Sequence, residues 1–269
     1  MSEFSPVYGP VQSWRYGHSL GIDPIGLVST CSFNCVYCQL GQIERLSSQR
    51  QTFIPTGAIL AALDQKLEKD LDVITLSGSG EPTLALNLGE IIAQVKAKTI
   101  VPIVVLTNGT LLDSESVRSD LCLADEVSVK LDAVTPEGVK RVNRPGFAWD
   151  GQIFWQSLLS FRAQFAGRLT IQTMLLSAWS EVEKQIYIEC LQELRPDRVY
   201  LNIPRRPKPL RRLLQGRENL TAVENSAWLK PLSVEYLEDF AHAIKEQSQL
   251  PVSYAVATMP ESLERPPER

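Results

Sequence analysis

The chain has 269 residues, 44% of them apolar and 22% charged, with a formal net charge of −4 at pH 7. That apolar share fills a sizeable core, the length suits one large α/β domain, and the weak negative charge gives no global attraction to nucleic acid, so any such affinity must be local. No apolar run is long enough to span a membrane, Met1-Ser-Glu-Phe-Ser-Pro lacks a signal-peptide pattern, and five cysteines, three of them clustered, predict a reducing, cytoplasmic setting.

In chain order, residues 8–18 are turn-rich, with Gly9, Pro10 and Gly17, and lead into a predicted strand near 19–22. Directly after it comes Cys31-Ser-Phe-Asn-Cys35-Val-Tyr-Cys38, ending in Gln39-Leu-Gly41. Ile59, Leu60, Leu63 and Leu67 repeat at helical spacing and predict a helix over 56–69. A buried strand over 72–76, a helix around 88–95 and a strand over 101–106, closed by Thr107-Asn-Gly109, follow. Next come a strand over 126–131, a helix over 150–165 with Phe154, Leu158, Phe161 and Phe165 on one face, and a strand over 169–175. Ser180 and Glu183 form a capping-box pattern for a helix whose apolar face is Ile186, Cys190, Leu191 and Leu194. A strand over 198–203 closes the run.

Strands alternating with helices predict a parallel sheet. About six β/α units fall short of the eight that close a full barrel, so the expected fold is α/β, an open partial (βα)6 barrel with a short C-terminal α/β extension. The expected division is a lead-in over 1–18, the partial barrel over 19–204, and a remainder over 205–269. That remainder opens with a basic run, 205–217, followed by a helix over 233–247, a strand over 252–256 and a frayed tail from Pro260 to Arg269.

The spacing C-x3-C-x2-C places three soft thiolate ligands in eight residues, a set suited to iron–sulfur or zinc. Three thiolates can hold three irons of a [4Fe–4S] cubane and leave the fourth open, the mark of a catalytic site. Zinc normally wants four protein ligands, and His18 in a strand and His242 in a late helix are poorly placed; ordinary buried thiols are the third reading. Ligands of parallel α/β folds bind at the C-terminal strand ends. There Ser77-Gly-Ser-Gly-Glu-Pro-Thr83 permits close backbone approach, and Glu81 offers a carboxylate to an ammonium group; a plain glycine-rich turn is the alternative. Asn108 sits in an Asn-Gly turn, and Lys130 and Asp132 end another strand, where a salt bridge competes with ligand binding. Asn143-Arg144-Pro145 is expected to form a mobile rim with Arg144 as an anion clamp. Gln172 and Asn202 interrupt apolar runs, so each amide needs a partner; Asn202 is read as facing a ligand. Cys122 and Cys190 are expected to be small buried hydrophobes.

The cysteine loop, with Tyr37 before its last cysteine, resembles the cluster motif of the radical S-adenosylmethionine (SAM) superfamily. The resemblance implies a [4Fe–4S] cluster on Cys31, Cys35 and Cys38 that binds SAM and cleaves it to methionine and a 5′-deoxyadenosyl radical, which takes hydrogen from a substrate. Gly78, Ser79, Gly80 and Glu81 look like the superfamily's Gly-Gly-Glu-Pro motif, with Ser79 in place of the second glycine, which implies contact with the methionine amino group. Lys130-Leu-Asp132-Ala is similar to its Ser-Leu-Asp-Ala segment. Tyr37, Asn108, Lys130, Asp132 and Asn202 are then further cofactor-binding positions. Tyr8-Gly-Pro-Val, Ser19-Leu-Gly-Ile-Asp23 and Asn202-Ile-Pro-Arg-Arg-Pro207 extend the resemblance to a compact single-cluster subgroup of Fe–S oxidoreductases related to the wyosine-forming tRNA enzymes. No cysteine precedes Cys31, so the second cluster of those enzymes has no ligands here. The resemblance further implies an electron donor such as flavodoxin or ferredoxin. RNA or another phosphorylated substrate, met by Arg205, Arg206, Lys208, Arg211 and Arg212, is the leading expectation. An activating enzyme for a partner protein's glycine, and a non-catalytic electron carrier, are the alternatives.

Overall fold

The computed structural model describes residues 4–218 and 225–255. One eight-stranded sheet forms its centre: β1 (Val7–Ser13), β2 (Gly17–Ile22), β3 (Val73–Leu76), β4 (Ile103–Thr107), β5 (Glu126–Lys130), β6 (Arg168–Met174), β7 (Arg198–Asn202) and β8 (Val252–Tyr254). Spatial order follows chain order throughout, and only the first pair is antiparallel. A parallel sheet wound in strict sequence needs every crossover on the same side. It curls into the expected open half-barrel, with α1 (Thr56–Asp64), α2 (Leu88–Lys98), α3 (Glu115–Leu121), α4 (Pro136–Val142), α5 (Gly151–Gln164), α6 (Glu181–Leu194) and α7 (Val234–Ser248) between the strands.

Side-chain parity explains what this wall separates. Successive strand residues face opposite ways, and Leu20, Ile22, Ile74, Leu76, Val105, Val127, Ile171 and Val199 all point to the helices, in one buried core. Their neighbours Ser19, Thr75, Ser77, Lys130, Gln172 and Asn202 line the opposite, concave face. Burying the first set stabilises the wall by roughly 1.5–3 kcal/mol per large side chain; the second set leaves a polar lumen.

Several elements differ from the sequence expectation for identifiable reasons. β1 reads as turns because Gly9 and Pro10 interrupt it, yet it is an edge strand whose register shifts between Tyr8 and Val11, the place where a strand tolerates proline. Helices α3 and α4 have seven residues each, too few to show a period. Helix α1 stops at Asp64, while Leu67 packs on the core from the following turn. The capping box forms as expected, Ser180 Oγ accepting from Glu183 N and Glu183 accepting from Ser180 N. Cys122 is exposed, contrary to expectation, because it follows the short α3 at the surface. Position 256 and the tail 260–269 lie outside the described residues.

The basic run folds back over the barrel mouth as a strap. Leu213 N donates to Leu40 O at 2.9 Å. Backbone of Arg211 sits where a Cβ of Gly41 would be, and backbone of Gln39 where a Cβ of Gly216 would be, so both contacts require glycine. The strap ends in a buried ion pair, Arg217 Nη1 to Asp23 Oδ2 at 2.8 Å, with the guanidinium over the rings of Tyr8 and Phe4. Asp23 is fully buried and also accepts from Ile25 N and Gly26 N. Removing one partner strands the other charge. Arg217→Met is therefore expected to lower unfolding free energy by about 3 kcal/mol in denaturant titration.

Candidate active site

The cysteine loop has almost no secondary structure of its own, so its neighbours hold it. Thr30 N donates to Ser79 O and Glu81 N to Thr30 O, each at 3.1 Å. This stitches the start of the loop to the glycine turn after β3. At Gly80 any Cβ would overlap the Thr30 carbonyl, and Gly78 has φ +116° with Asp23 in the space a Cβ would fill. On the other flank Asn34 N donates to Asn143 O and Arg144 O, and Val36 N to Val142 O. Residues 143–145 are thus part of the frame rather than a mobile rim. Arg144 is exposed at φ +50° and lines neither cavity described below, so the structure does not bring it to the site as a clamp.

Amide groups face two of the sulfurs. Asn108 Nδ2 lies 3.6 Å from Cys31 Sγ and Asn143 Nδ2 lies 3.5 Å from Cys35 Sγ. Asn143 Nδ2 also donates to Asp132 at 2.7 Å, Tyr37 donates its hydroxyl to the same carboxylate, and Met174 N donates to its other oxygen at 2.8 Å. Lys130 Nζ lies 5.0 Å from the Tyr37 ring centre. Asp132 is therefore a buried clamp on Tyr37 that borders the second of the two cavities described below. Burial pushes the thiols of Cys31, Cys35 and Cys38 up, Cys35 to about 12; there Lys130 pulls the other way and Asp132 adds to the rise. Such thiols lose their protons when a metal takes their place.

Glu81 is 2% exposed and held on all sides. Its Oε1 accepts from Thr107 Oγ1 at 2.6 Å and Thr83 Oγ1 at 2.7 Å, and its Oε2 from Asn108 N at 2.8 Å. Burial raises its pKa, and these hydrogen bonds oppose the rise. The carboxylate is thus oriented in advance, in a position where a cation would complement it. Ser79 points elsewhere, accepting from Arg212 Nη2 at 2.9 Å.

A cavity of about 420 Å³ joins these groups: all three cysteines, Tyr37, Gly78, Gly80, Glu81, Asn108, Lys130 and Asn202 line it, with Arg205 and Arg206. Ser79 and Asp132 stand behind its wall. A second cavity of about 360 Å³, mostly apolar, shares Phe33, Asn108 and Lys130 and is walled by Trp149, Phe154 and Cys190. Among the described residues, no three His, Cys, Asp or Glu side chains converge around one point as a single-ion site requires. A cubane spreads its thiolates over separate irons, so three soft donors around one cavity fit a cluster.

Residues 25–153 match the Radical SAM superfamily profile, a stretch that contains the cysteine loop, the glycine turn, Asn108, Lys130 and Asp132. The chain is 49% identical over 256 residues to a UPF0026 protein of Synechocystis sp., covering 94% of this chain and 97% of the relative. The chain belongs to the UPF0026 family, within the radical SAM superfamily. A UPF0026 protein of Methanocaldococcus jannaschii is 34% identical over 206 residues, 74% of this chain and 64% of that one. Among solved structures, Streptococcus suis SuiB bound to S-adenosylmethionine matches at TM-score 0.62 and 11% identity, over 88% of this chain and 52% of that one. That likeness is one of fold, and this UPF0026 chain spans about half the length of the solved structure. As a radical SAM enzyme the chain uses a [4Fe–4S] cluster and SAM.

Sequence reasoning missed Trp14, Arg15 and Tyr16 as cavity residues, because the β1–β2 connection carries no motif and reaches the lumen only through the curl of the sheet. Asn143 was visible only as a rim residue; its place beside Cys35 depends on α4. Gly80→Ala is expected to displace the cysteine loop and cut iron and sulfide content after reconstitution by more than half. Gly57→Ala in α1, where nothing lies within 4 Å of the added methyl, is expected to leave both contents unchanged and stability equal or up to about 1 kcal/mol higher.

Proposed function

We propose that this UPF0026 chain abstracts a hydrogen atom from a small, phosphorylated or otherwise anionic molecule bound in the lumen of the half-barrel. The observation that carries the reading is the single cavity that joins the cysteine loop, Glu81 and Lys130 to the polar concave face of the sheet. Held by the three cysteines, a reduced cluster would supply the electron for reductive cleavage of SAM, the source of the hydrogen-abstracting radical.

The chain's own part is to hold and to orient. Cys31, Cys35 and Cys38 would hold the cluster. Glu81, fixed by four donors from Thr83, Thr107 and Asn108, would receive the methionine ammonium. Gly78 and Gly80 bring the backbone close, and Lys130 would neutralise the carboxylate. Tyr37, held by Asp132, and Asn108 and Asn202 would complete the walls, while Ser79 braces the turn from behind through Arg212. An external one-electron donor of flavodoxin or ferredoxin type would supply the electron.

A small substrate is favoured over RNA because much of the basic run serves the strap. Lys208 Nζ donates to Cys35 O at 3.3 Å, and Arg212 reaches Ser79 and Glu44, whereas Arg205 and Arg206 line the cavity wall and Arg211 is exposed. The volume of about 420 Å³ is in the range of small-molecule sites. Kinship with the wyosine-related subgroup is proposed on the shared motifs alone, without a shared reaction.

Anaerobic reconstitution followed by dithionite and SAM tests the reading. The wild type is expected to form 5′-deoxyadenosine, and Cys35→Ala none. Lys130→Met is expected to weaken SAM binding roughly tenfold, the worth of one charge-assisted hydrogen bond. A reconstituted cluster that binds no SAM would overturn the enzyme reading. Tight RNA binding that falls steeply with salt would replace the small substrate with a polynucleotide.

A further inference from the structure

The deep end of the lumen, remote in sequence from every superfamily motif, carries a cation to which no described residue gives an ion pair. Arg15 leaves the β1–β2 connection and lines the cavity. Its Nη1 donates to Gln172 Oε1 at 2.6 Å, and its guanidinium lies 5.8 and 5.5 Å from the ring centres of Trp14 and Tyr16. Its Nε is buried and, among the described residues, has no hydrogen-bond acceptor. Among the described residues no carboxylate forms an ion pair with it. Glu126, the acid nearby in the lumen floor, is engaged by Tyr16, Thr170 and Arg168.

A second guanidinium shares the space. Arg206 lines the same cavity, and burial together with the Arg15 charge holds its pKa below the usual arginine range. Both guanidiniums line one cavity, so a single small oxyanion there meets two planar donors. Gln172 completes the arrangement. Its Nε2 donates to Ser128 O at 3.3 Å, which fixes the amide so that its oxygen faces Arg15 and holds the fork in one orientation. A planar guanidinium held this way is suited to a phosphate or carboxylate.

We propose that Arg15, oriented by Gln172 and assisted by Arg206, forms an anion-binding subsite that takes the phosphate or carboxylate of a small substrate. The anion end is then anchored at the lumen floor and the rest of the molecule extends toward the cysteine loop. The inference rests on the hydrogen-abstraction reading for the identity of the ligand as substrate, but anion binding can be measured without turnover.

The test is calorimetric titration of the reconstituted full chain at low ionic strength with inorganic phosphate and, separately, with acetate. Saturable binding of at least one is expected, and the tighter of the two identifies the anion. Arg15→Met is expected to weaken it at least tenfold, Arg15→Lys to restore part of it, and Arg211→Met, on the outside of the strap, to leave it unchanged. Gln172→Glu supplies an internal carboxylate of nearly the same shape; it is expected to pair with Arg15, keep the fold and abolish anion binding. That variant keeps the test decisive if Arg15→Met fails to fold. Binding that is unaffected in Gln172→Glu, or absent in the wild type for both anions, overturns the proposal. SAM affinity, measured by equilibrium dialysis on the same samples, reports on the reading above, so the two can fail independently.

Discussion

Everything at the top of the barrel depends on the contact between the Thr30 backbone and Gly80. Two hydrogen bonds cross it, and it exists only because residue 80 has no Cβ. A loop that must present three sulfurs to one cavity cannot also pack them as a core, so its rigidity is borrowed. The glycine turn supplies it on one side and the end of α4 on the other. The same turn carries Glu81, so one backbone contact sets both the position of the sulfurs and the distance from them to the carboxylate. This explains how a serine is accepted at position 79, whose side chain faces Arg212, while position 80 admits only glycine.

The lumen follows from the simplest property of a strand. Each β-strand offers alternate residues to two faces, and here the helices take the apolar set while the polar set is left inside. An ordinary parallel sheet is apolar on both faces. This one keeps Ser19, Thr75, Gln172 and Asn202 on the concave side, at the expense of core burial, and gains a solvated chamber. Its electrostatics are uneven. Glu81 and the thiols lie at the loop end, Arg15 and Arg206 line the same cavity, and Lys130 lies between the two cavities. A ligand pair with an ammonium at one end and an anion at the other complements that pattern.

The strap turns a basic sequence into a structural element. Arg217 reaches a fully buried Asp23, Arg212 reaches Glu44 and Ser79, and Lys208 caps a carbonyl of the cysteine loop. Half of the basic residues that look available for a polyanion in the sequence are committed to closing the barrel mouth. Arg205 and Arg206 differ because they turn inward, just after β7, where the chain leaves the sheet.

Local patterns in the sequence determined the cluster loop, the glycine turn, the parallel α/β alternation and the capped helix at Ser180, because each depends on spacing within a few residues. Cys31, Cys35, Cys38, Glu81 and Lys130 were readable as candidate site residues for that reason, and the structure brings them to one cavity. The edge strand β1, hidden by Gly9 and Pro10, and the short helices α3 and α4 leave no periodic trace. Tertiary structure alone decided that Asp132 clamps Tyr37, that Asn143 reaches Cys35, that Ser79 faces away from the cavity and that Arg15 enters the lumen. Those roles join residues from 95 to 157 positions apart, as in Tyr37 with Asp132 and Arg15 with Gln172. Only the curl of the sheet brings such pairs within hydrogen-bonding distance.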